Sequence, residues 1–239
     1  MIKRGNILAR TLHKWTGLII GIQVLIWLLT GLYMVIVDID FIHGDPMVKN
    51  IQTAIIVPDT SPVNIAGLIE SYPDAVRISL QTVMGETRYA VITPDQRYLI
   101  DPQTAEVLSP LGEKTARAIA RFYFNGDAAI NNATLITSKP PTEIQTRRLP
   151  LWRIDFDDRF SSSFYIDPYN GKLATRRHQY WRIFDFFWML HIMDYETRTD
   201  AHNTLLIVGQ ISGLGFAITG VWLLFYSFNT RRRKRSIAG

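Results

Sequence analysis

Five histidines, His13, His43, His178, His191 and His202, are the metal-ligating side chains to weigh first in this 239-residue chain, because it contains no cysteine. That absence excludes disulfides, thiolate metal sites and cysteine nucleophiles together. His191, Asp194 and His202 form a set of the two-histidine, one-carboxylate type. Asp155, Asp157 and Asp158 could face a cation, although solvation is the ordinary state of such a cluster on an exposed strand and turn. His178 follows Arg176-Arg177, where a hydrogen bond to water or a carbonyl is its plain role. No phosphate-binding glycine loop, nucleotide fingerprint or nucleophile elbow is present.

The elements that must position these histidines are read from hydropathy. Trp15 to Val37 and Asn203 to Phe228 contain no charged side chain, and each is long enough to cross a hydrocarbon core of about 30 Å as a helix. Lys3, Arg4, Arg10 and Lys14 precede the first span, and Arg231 to Arg235 follow the second. The positive-inside bias therefore puts both ends in the cytoplasm and the middle of the chain outside. A cleavable signal peptide would carry a shorter apolar run and a small-residue cleavage site, and neither follows Val37.

Mean hydropathy of +0.05 averages two apolar spans with a polar middle. The net charge of +5 collects beside the spans, which points to an anionic bilayer and not to nucleic acid. Between Tyr180 and His191 a belt of Trp, Tyr and Phe suits the membrane–water boundary. It reads as an interfacial segment over residues 180–200 that turns near Thr197 to Asp200 into the second span.

This arrangement limits pairing among the histidines. His13 and His43 are separated by the whole first span, about 45 Å, so they cannot share an ion. On one straight helix His191 and His202 would face the same way about 16 Å apart, so sharing requires the break near Thr197. His43, His191 and His202 all fall near the outer boundary. His13 has no histidine partner on its side within one chain.

The middle part repeats itself. Tyr98-Leu99-Ile100-Asp101-Pro102 through Val107 matches Phe164-Tyr165-Ile166-Asp167-Pro168 through Leu173. A strand ending in Asp-Pro and a tight turn explains the pattern: the proline stops ladder pairing and the Asp side chain accepts turn N–H groups. Strand material precedes each copy at Arg88 to Thr93 and Leu151 to Phe156. Ahead of these, Asn64 to Ser71 would place Ile65, Leu68 and Ile69 on one helix face, and Glu113 to Phe124 Ala116, Ile119, Ala120 and Tyr123. Pro58 to Pro62 and Pro140-Pro141 read as joints.

The expected fold is an α+β membrane protein: two transmembrane helices flanking two helix-plus-antiparallel-sheet repeats, with an interfacial aromatic helix. Its parts are a basic amino terminus (1–14), a first span (15–38), two repeats (39–110 and 111–179), the aromatic segment (180–200), a second span (201–229) and a basic tail (230–239).

Leu12-His13-Lys14-Trp15-Thr16-Gly17-Leu18, Leu29-Thr30-Gly31-Leu32, Leu190-His191 and Thr219-Gly220-Val221-Trp222-Leu223 resemble the PepSY-associated transmembrane proteins of bacterial inner membranes. The repeated Ile-Asp-Pro-x-x-Gly strand at Ile166 to Gly171 resembles the PepSY domain itself. The resemblance covers essentially the whole chain and implies an inner-membrane protein with a periplasmic middle. Larger relatives, typically with four spans, include reductases that release iron from siderophores and carry haem on helix histidines; this chain has two spans.

The resemblance implies haem b on His13 and His191, with His202 or His43 opposite His191. Imidazole is a usual axial ligand. Gly17 and Gly21 beside His13, and Gly209 and Gly213 in the second span, would either admit a flat macrocycle or let helices pack closely. The implied function is electron delivery to a periplasmic ferric siderophore, with electrons arriving from elsewhere because no flavin or nicotinamide site is present. Two other functions fit the same residues: a membrane-anchored module that binds a peptide, peptidase or partner protein, and an accessory subunit of a larger complex. A homodimer is among the expected assemblies, since His13 would need the same residue of a second subunit or another protein.

Overall fold

The computed structural model describes residues 2–51 and 65–235. The chain divides into two compact units, residues 1–38 with 184–239 and residues 39–183. The joint at Pro58 to Pro62, and Asn64, lie outside the described residues.

The first unit is helical. It holds α1 (Ile2–Ile36), the carboxyl-terminal part of α5 (Gln179–Ile192) and α6 (Thr204–Arg235). Ile7–Ile36 and Thr204–Phe228 are long and apolar enough to cross a membrane. Only 6% and 11% of their most apolar windows are buried, whereas the core helix of a soluble protein would be mostly covered. α1 runs unbroken through Arg10 and Lys14. Their long stems can carry the charged heads toward the boundary.

Glycines bring α1 and α6 together. A Cβ on Gly17 would stand 2.7 Å from the Phe216 ring, and Cβ atoms on Gly209 and Gly213 would stand 3.5 and 3.8 Å from the Trp27 ring. Each aromatic ring on one helix thus lies on bare backbone of the other, the close approach that small residues permit between membrane helices. Gly17→Ala should destabilise the detergent-solubilised chain by roughly 1–3 kcal/mol through overpacking. A thermal midpoint equal to wild type would mean that Phe216 is not held there.

The second unit opens on the short helix α2 (Ile39–His43) and contains two antiparallel sheets. β1 (Arg77–Val83), β2 (Glu86–Ile92) and β3 (Arg97–Ile100) form one in that order, preceded by α3 (Ile65–Ser71). Met84 and Gly85 both take positive φ, 52° and 85°, which gives the two-residue turn that matches strand twist. β4 (Ile130–Ile136), β5 (Leu151–Phe156), β6 (Ser163–Ile166) and β7 (Leu173–Arg177) form the other, preceded by α4 (Glu113–Tyr123).

The two Asp-Pro turns share one hydrogen-bond pattern. Asp101 Oδ1 accepts the Gln103 N–H at 2.8 Å, and Asp167 Oδ1 accepts the Tyr169 N–H at 2.8 Å. Ala105 N–H donates to Asp101 O at 3.0 Å and Gly171 N–H to Asp167 O at 2.8 Å. Ala105 and Gly171 both sit in the left-handed region, at 62° and 65°. Beyond each turn the chain pairs back, Ile100 with Val107 and Ile166 with Leu173. The first copy makes a single bridge where the second makes a full strand.

Each sheet buries a face under its own helix. Leu68 of α3 packs with Tyr89, Val91 and Ile100. Ala116, Ile119 and Ala120 of α4 pack with Ile154, Phe164 and Ile166 in a larger core that also takes Val83 and Leu99 from the first sheet. The expected apolar face of α3 is corrected: Ile65 and Ile69 are exposed and only Leu68 is buried. A helix of seven residues makes about two turns, too few to lay three side chains on a small sheet.

His178 is fully buried at the end of β7, its Nε2 donating to the carbonyls of Phe41 at 2.9 Å and Ile42 at 3.1 Å. Burial lowers its pKa below the ordinary histidine value. It ties the two strands of chain that enter and leave this unit, a structural part of the carbonyl-bonding kind expected for it.

Candidate functional site

The carboxyl end of α5 is fixed by side chains that cap its last carbonyls, groups with no partner inside the helix. Trp27 Nε1 of α1 donates to His191 O at 2.7 Å and Gln23 Nε2 to Leu190 O at 3.5 Å. Asn203 Nδ2 donates to Ile192 O at 2.9 Å. The connection to α6 is organised by Asp194, whose carboxylate accepts the Thr197 hydroxyl and backbone N–H groups of Thr197, Thr199 and Asp200. These bonds, the Thr197 hydroxyl foremost, hold its pKa well below the usual carboxylate range. Arg198 in the same loop pairs with Asp185 of α5.

Held this way, His191 lies against α1. Its Nδ1 is 2.9 Å from Thr30 Oγ1, and Thr30 donates its only proton to Ile26 O at 2.7 Å. The threonine oxygen is therefore the acceptor, which puts the imidazole proton on Nδ1. A Cβ on the next residue, Gly31, would make an ordinary contact 3.7 Å from His191 Cε1.

His13 has the same seat on α6. Its Nδ1 is 3.0 Å from Thr219 Oγ1 and 3.2 Å from Phe216 O, and Thr219 donates to Phe216 O at 2.8 Å. Both neighbours are acceptors, so Nδ1 again carries the proton. Here too a glycine follows the threonine: a Cβ on Gly220 would stand 3.0 Å from His13 Cε1. The imidazole stacks on Phe216, with centroids 4.3 Å apart and planes 6° from parallel.

Each histidine thus rests on a Thr-Gly step of a facing helix. With the proton on Nδ1, Nε2 of the uncharged ring keeps its lone pair, and among the described residues no hydrogen bond reaches either Nε2. A metal-binding imidazole is oriented in this way, its second nitrogen donating to a fixed acceptor. The seats are separated along α1 by the 17 residues from His13 to Thr30, about 25 Å, so the two histidines serve two separate places.

Other sequence candidates are not assembled. His202 is exposed and engaged only through its backbone N–H, 2.7 Å from Asp200 Oδ1. Asn203 brings its backbone near the end of α5, but the His191 ring turns away onto Thr30. Asp194 is already occupied by N–H and hydroxyl donors, so the His191, Asp194, His202 set has no free carboxylate. His43 belongs to the other unit, exposed, its carbonyl accepting Arg176 Nε at 3.0 Å. Asp155 takes Arg153 and Ser163, and Asp158 takes Ser162. Among the described residues no group of three or more acidic or histidine side chains is placed to hold a metal ion.

No family model, curated protein or solved structure matches the chain. What the site can do follows from its donors. The ligand chemistry fits haem: two preset Nε2 lone pairs in apolar helices, each backed by a threonine. The glycine faces do not form a slot inside the helix pair, since Gly17 is filled by Phe216, Gly209 by Met193 and Trp27, and Gly220 by His13. Gly21, one turn beyond Gly17, meets nothing within 4 Å.

Thr30 and Thr219, quoted in the sequence only as parts of longer motifs, are the residues on which the two histidines rest. The signal available was the repeated Thr-Gly dipeptide, at 30–31 and 219–220.

Proposed function

We propose that this chain is a haem-b-binding protein of the bacterial inner membrane that passes electrons to a periplasmic ferric chelate of the siderophore class. The observation that carries the reading is the pair of Thr-Gly seats, each presenting a histidine Nε2 with its lone pair free. His13 lies in the apolar stretch Ile7–Ile36, where an ionisable side chain is costly and commonly functional, and a second histidine seated on a Thr-Gly step argues against accident.

His13 and His191 are the proposed ligands, Thr219 and Thr30 the residues that hold their tautomers, and Trp27 the residue that anchors the end of α5 beneath His191. Bound haem would supply one-electron chemistry at each seat. The chain's own part is to orient the two imidazoles and surround them with apolar helix. Residues 39–183 are proposed to stand on the periplasmic side, with both termini in the cytoplasm.

Two experiments bear on this reading. Alkaline phosphatase fused after Pro110 should be active and fused after Arg235 inactive, because it folds only in an oxidising compartment; activity at both points would remove the two-span topology. Dithionite-reduced protein, freed of excess reductant and mixed with a ferric siderophore, should reoxidise as ferrous iron appears. A reduced spectrum that persists would exclude this acceptor class.

The glycine faces filled by the chain's own rings favour a second reading, a membrane-anchored module that binds a partner protein without redox chemistry. That reading predicts purified protein without a haem spectrum.

A further inference from the structure

We infer that one end of the helical unit binds an anionic phospholipid, with the headgroup phosphate between Arg10 and Lys14 of α1 and an acyl chain along the adjoining groove of α6. The inference rests on the membrane reading above and is independent of haem.

The first argument is a pair of charges without a counter-charge. Arg10 and Lys14 lie inside the apolar stretch Ile7–Ile36, and both are exposed. They are four residues apart, so they stand one above the other on one helix face, where like charges repel. Among the described residues neither side chain makes a hydrogen bond or an ion pair, and Lys14 has only the Trp15 ring, whose centroid lies 5.6 Å from its ammonium. The sequence holds no acidic residue from 1 to 37 or from 201 to 239. Asp185, Asp194, Glu196 and Asp200 belong to α5 and the loop after it, whose His191 rests on Thr30, about 25 Å along α1 from His13. A cation within a span is costly without a partner, so the partner comes from the bilayer. A phosphate between the two heads cancels their repulsion.

The second argument is the surface beside these cations. A groove of about 640 Å³ runs along α6, lined by Ala217, Ile218, Val221, Trp222, Phe225 and Tyr226. Sites for small ligands commonly enclose about 300–1,000 Å³. The walls are aliphatic and aromatic, a lining that takes a hydrocarbon chain, and Trp and Tyr are at home where such a chain meets its polar headgroup.

The third argument places the cations and the groove on one side of the helix pair. His13 meets Gly220, Gly17 meets Phe216, and Trp27 meets Gly213 and Gly209, so α1 and α6 run antiparallel. A two-fold axis normal to the plane of such a pair exchanges the helices and keeps each flank on its own side. Residues one place after a contact residue, about 100° around either helix, therefore share a flank. Lys14 follows His13, with Arg10 one turn before it; Ala217 follows Phe216 and Val221 follows Gly220. Depth agrees, since Arg10 and Lys14 bracket His13, while Ala217 and Val221 bracket its neighbours Thr219 and Gly220.

The test uses the full chain in phosphatidylcholine vesicles that hold a minority of lipid brominated on its acyl chains, because bromine quenches a tryptophan that it touches. Brominated phosphatidylglycerol should quench more than the same fraction of brominated phosphatidylcholine, through enrichment at the groove. Trp222→Phe keeps the groove apolar and should lose most of that excess. Arg10→Gln/Lys14→Gln should lose the excess while brominated phosphatidylcholine quenches as in wild type, which shows that the variant still inserts. Should that variant fail to insert, wild type against Trp222→Phe decides alone. Equal quenching by the two lipids, or an excess that survives either substitution, would overturn the inference and leave the membrane reading in place. Quenching by neither lipid would remove both.

Discussion

His191→Ala should halve the haem bound per chain while leaving the protein inserted and folded. The expected effect is large because the seats are independent: His191 lies on Thr30 and His13 on Thr219, with no side chain common to both. Insertion depends on the apolar spans, which the substitution does not touch, and the end of α5 stays capped through backbone carbonyls that alanine also has. Thr30→Val keeps the shape of the seat but removes the acceptor for Nδ1–H. Loss of such an outer partner typically weakens a metal site by roughly 10–100-fold, and Thr30→Ser should restore most of it. Pyridine haemochrome assay of each variant, normalised to protein, gives the ratio; an unchanged ratio for His191→Ala would remove His191 as a ligand.

The second large effect concerns the repeat. Ile100→Asp and Ile166→Asp should each destabilise residues 39–183 by on the order of 4 kcal/mol, because each would bury a carboxylate without a partner. Ile100 is 1% exposed beneath Leu68 of α3, and Ile166 is 0% exposed beneath α4. Each precedes an Asp-Pro turn with the same backbone bonds, so the two positions correspond in sequence, hydrogen bonding and packing. Denaturant titration of the solubilised full chain, followed by tyrosine and tryptophan fluorescence, would show the shift. A neutral result at either position would end the equivalence of the two repeats.

These two predictions differ in how far the sequence alone leads to them. The Ile-Asp-Pro turns were legible because their chemistry is local: a proline that ends pairing, a carboxylate that accepts turn N–H groups, and a residue of positive φ four places on. The apolar stretches were legible because their length and composition have few other uses. The face of α3 was misjudged because periodicity assigns Ile65, Leu68 and Ile69 to one side without knowing how little sheet lies beneath them. Within the helical unit, hydropathy carries no information about which residue of α1 meets which of α6. Gly17, Gly209 and Gly213 therefore looked equally suited to a macrocycle and to helix packing, and the rings of Phe216 and Trp27 decide for packing. Thr30 and Thr219 were hidden for a related reason: a helical threonine bonded to its own preceding turn resembles any other, until a histidine from a different element is found on its free lone pairs.

The central claim, that His13 and His191 are the iron ligands of a redox protein, is tested most directly by a reduced-minus-oxidised difference spectrum. Wild type and His13→Ala/His191→Ala, purified in parallel from cells supplied with haem, should differ completely. Wild type should give the sharp bands of reducible b-type haem, and the double variant, recovered at the same yield and thermal midpoint of residues 39–183, should give none. Bands that survive in the double variant, or wild type that shows no Soret absorption, would contradict the account.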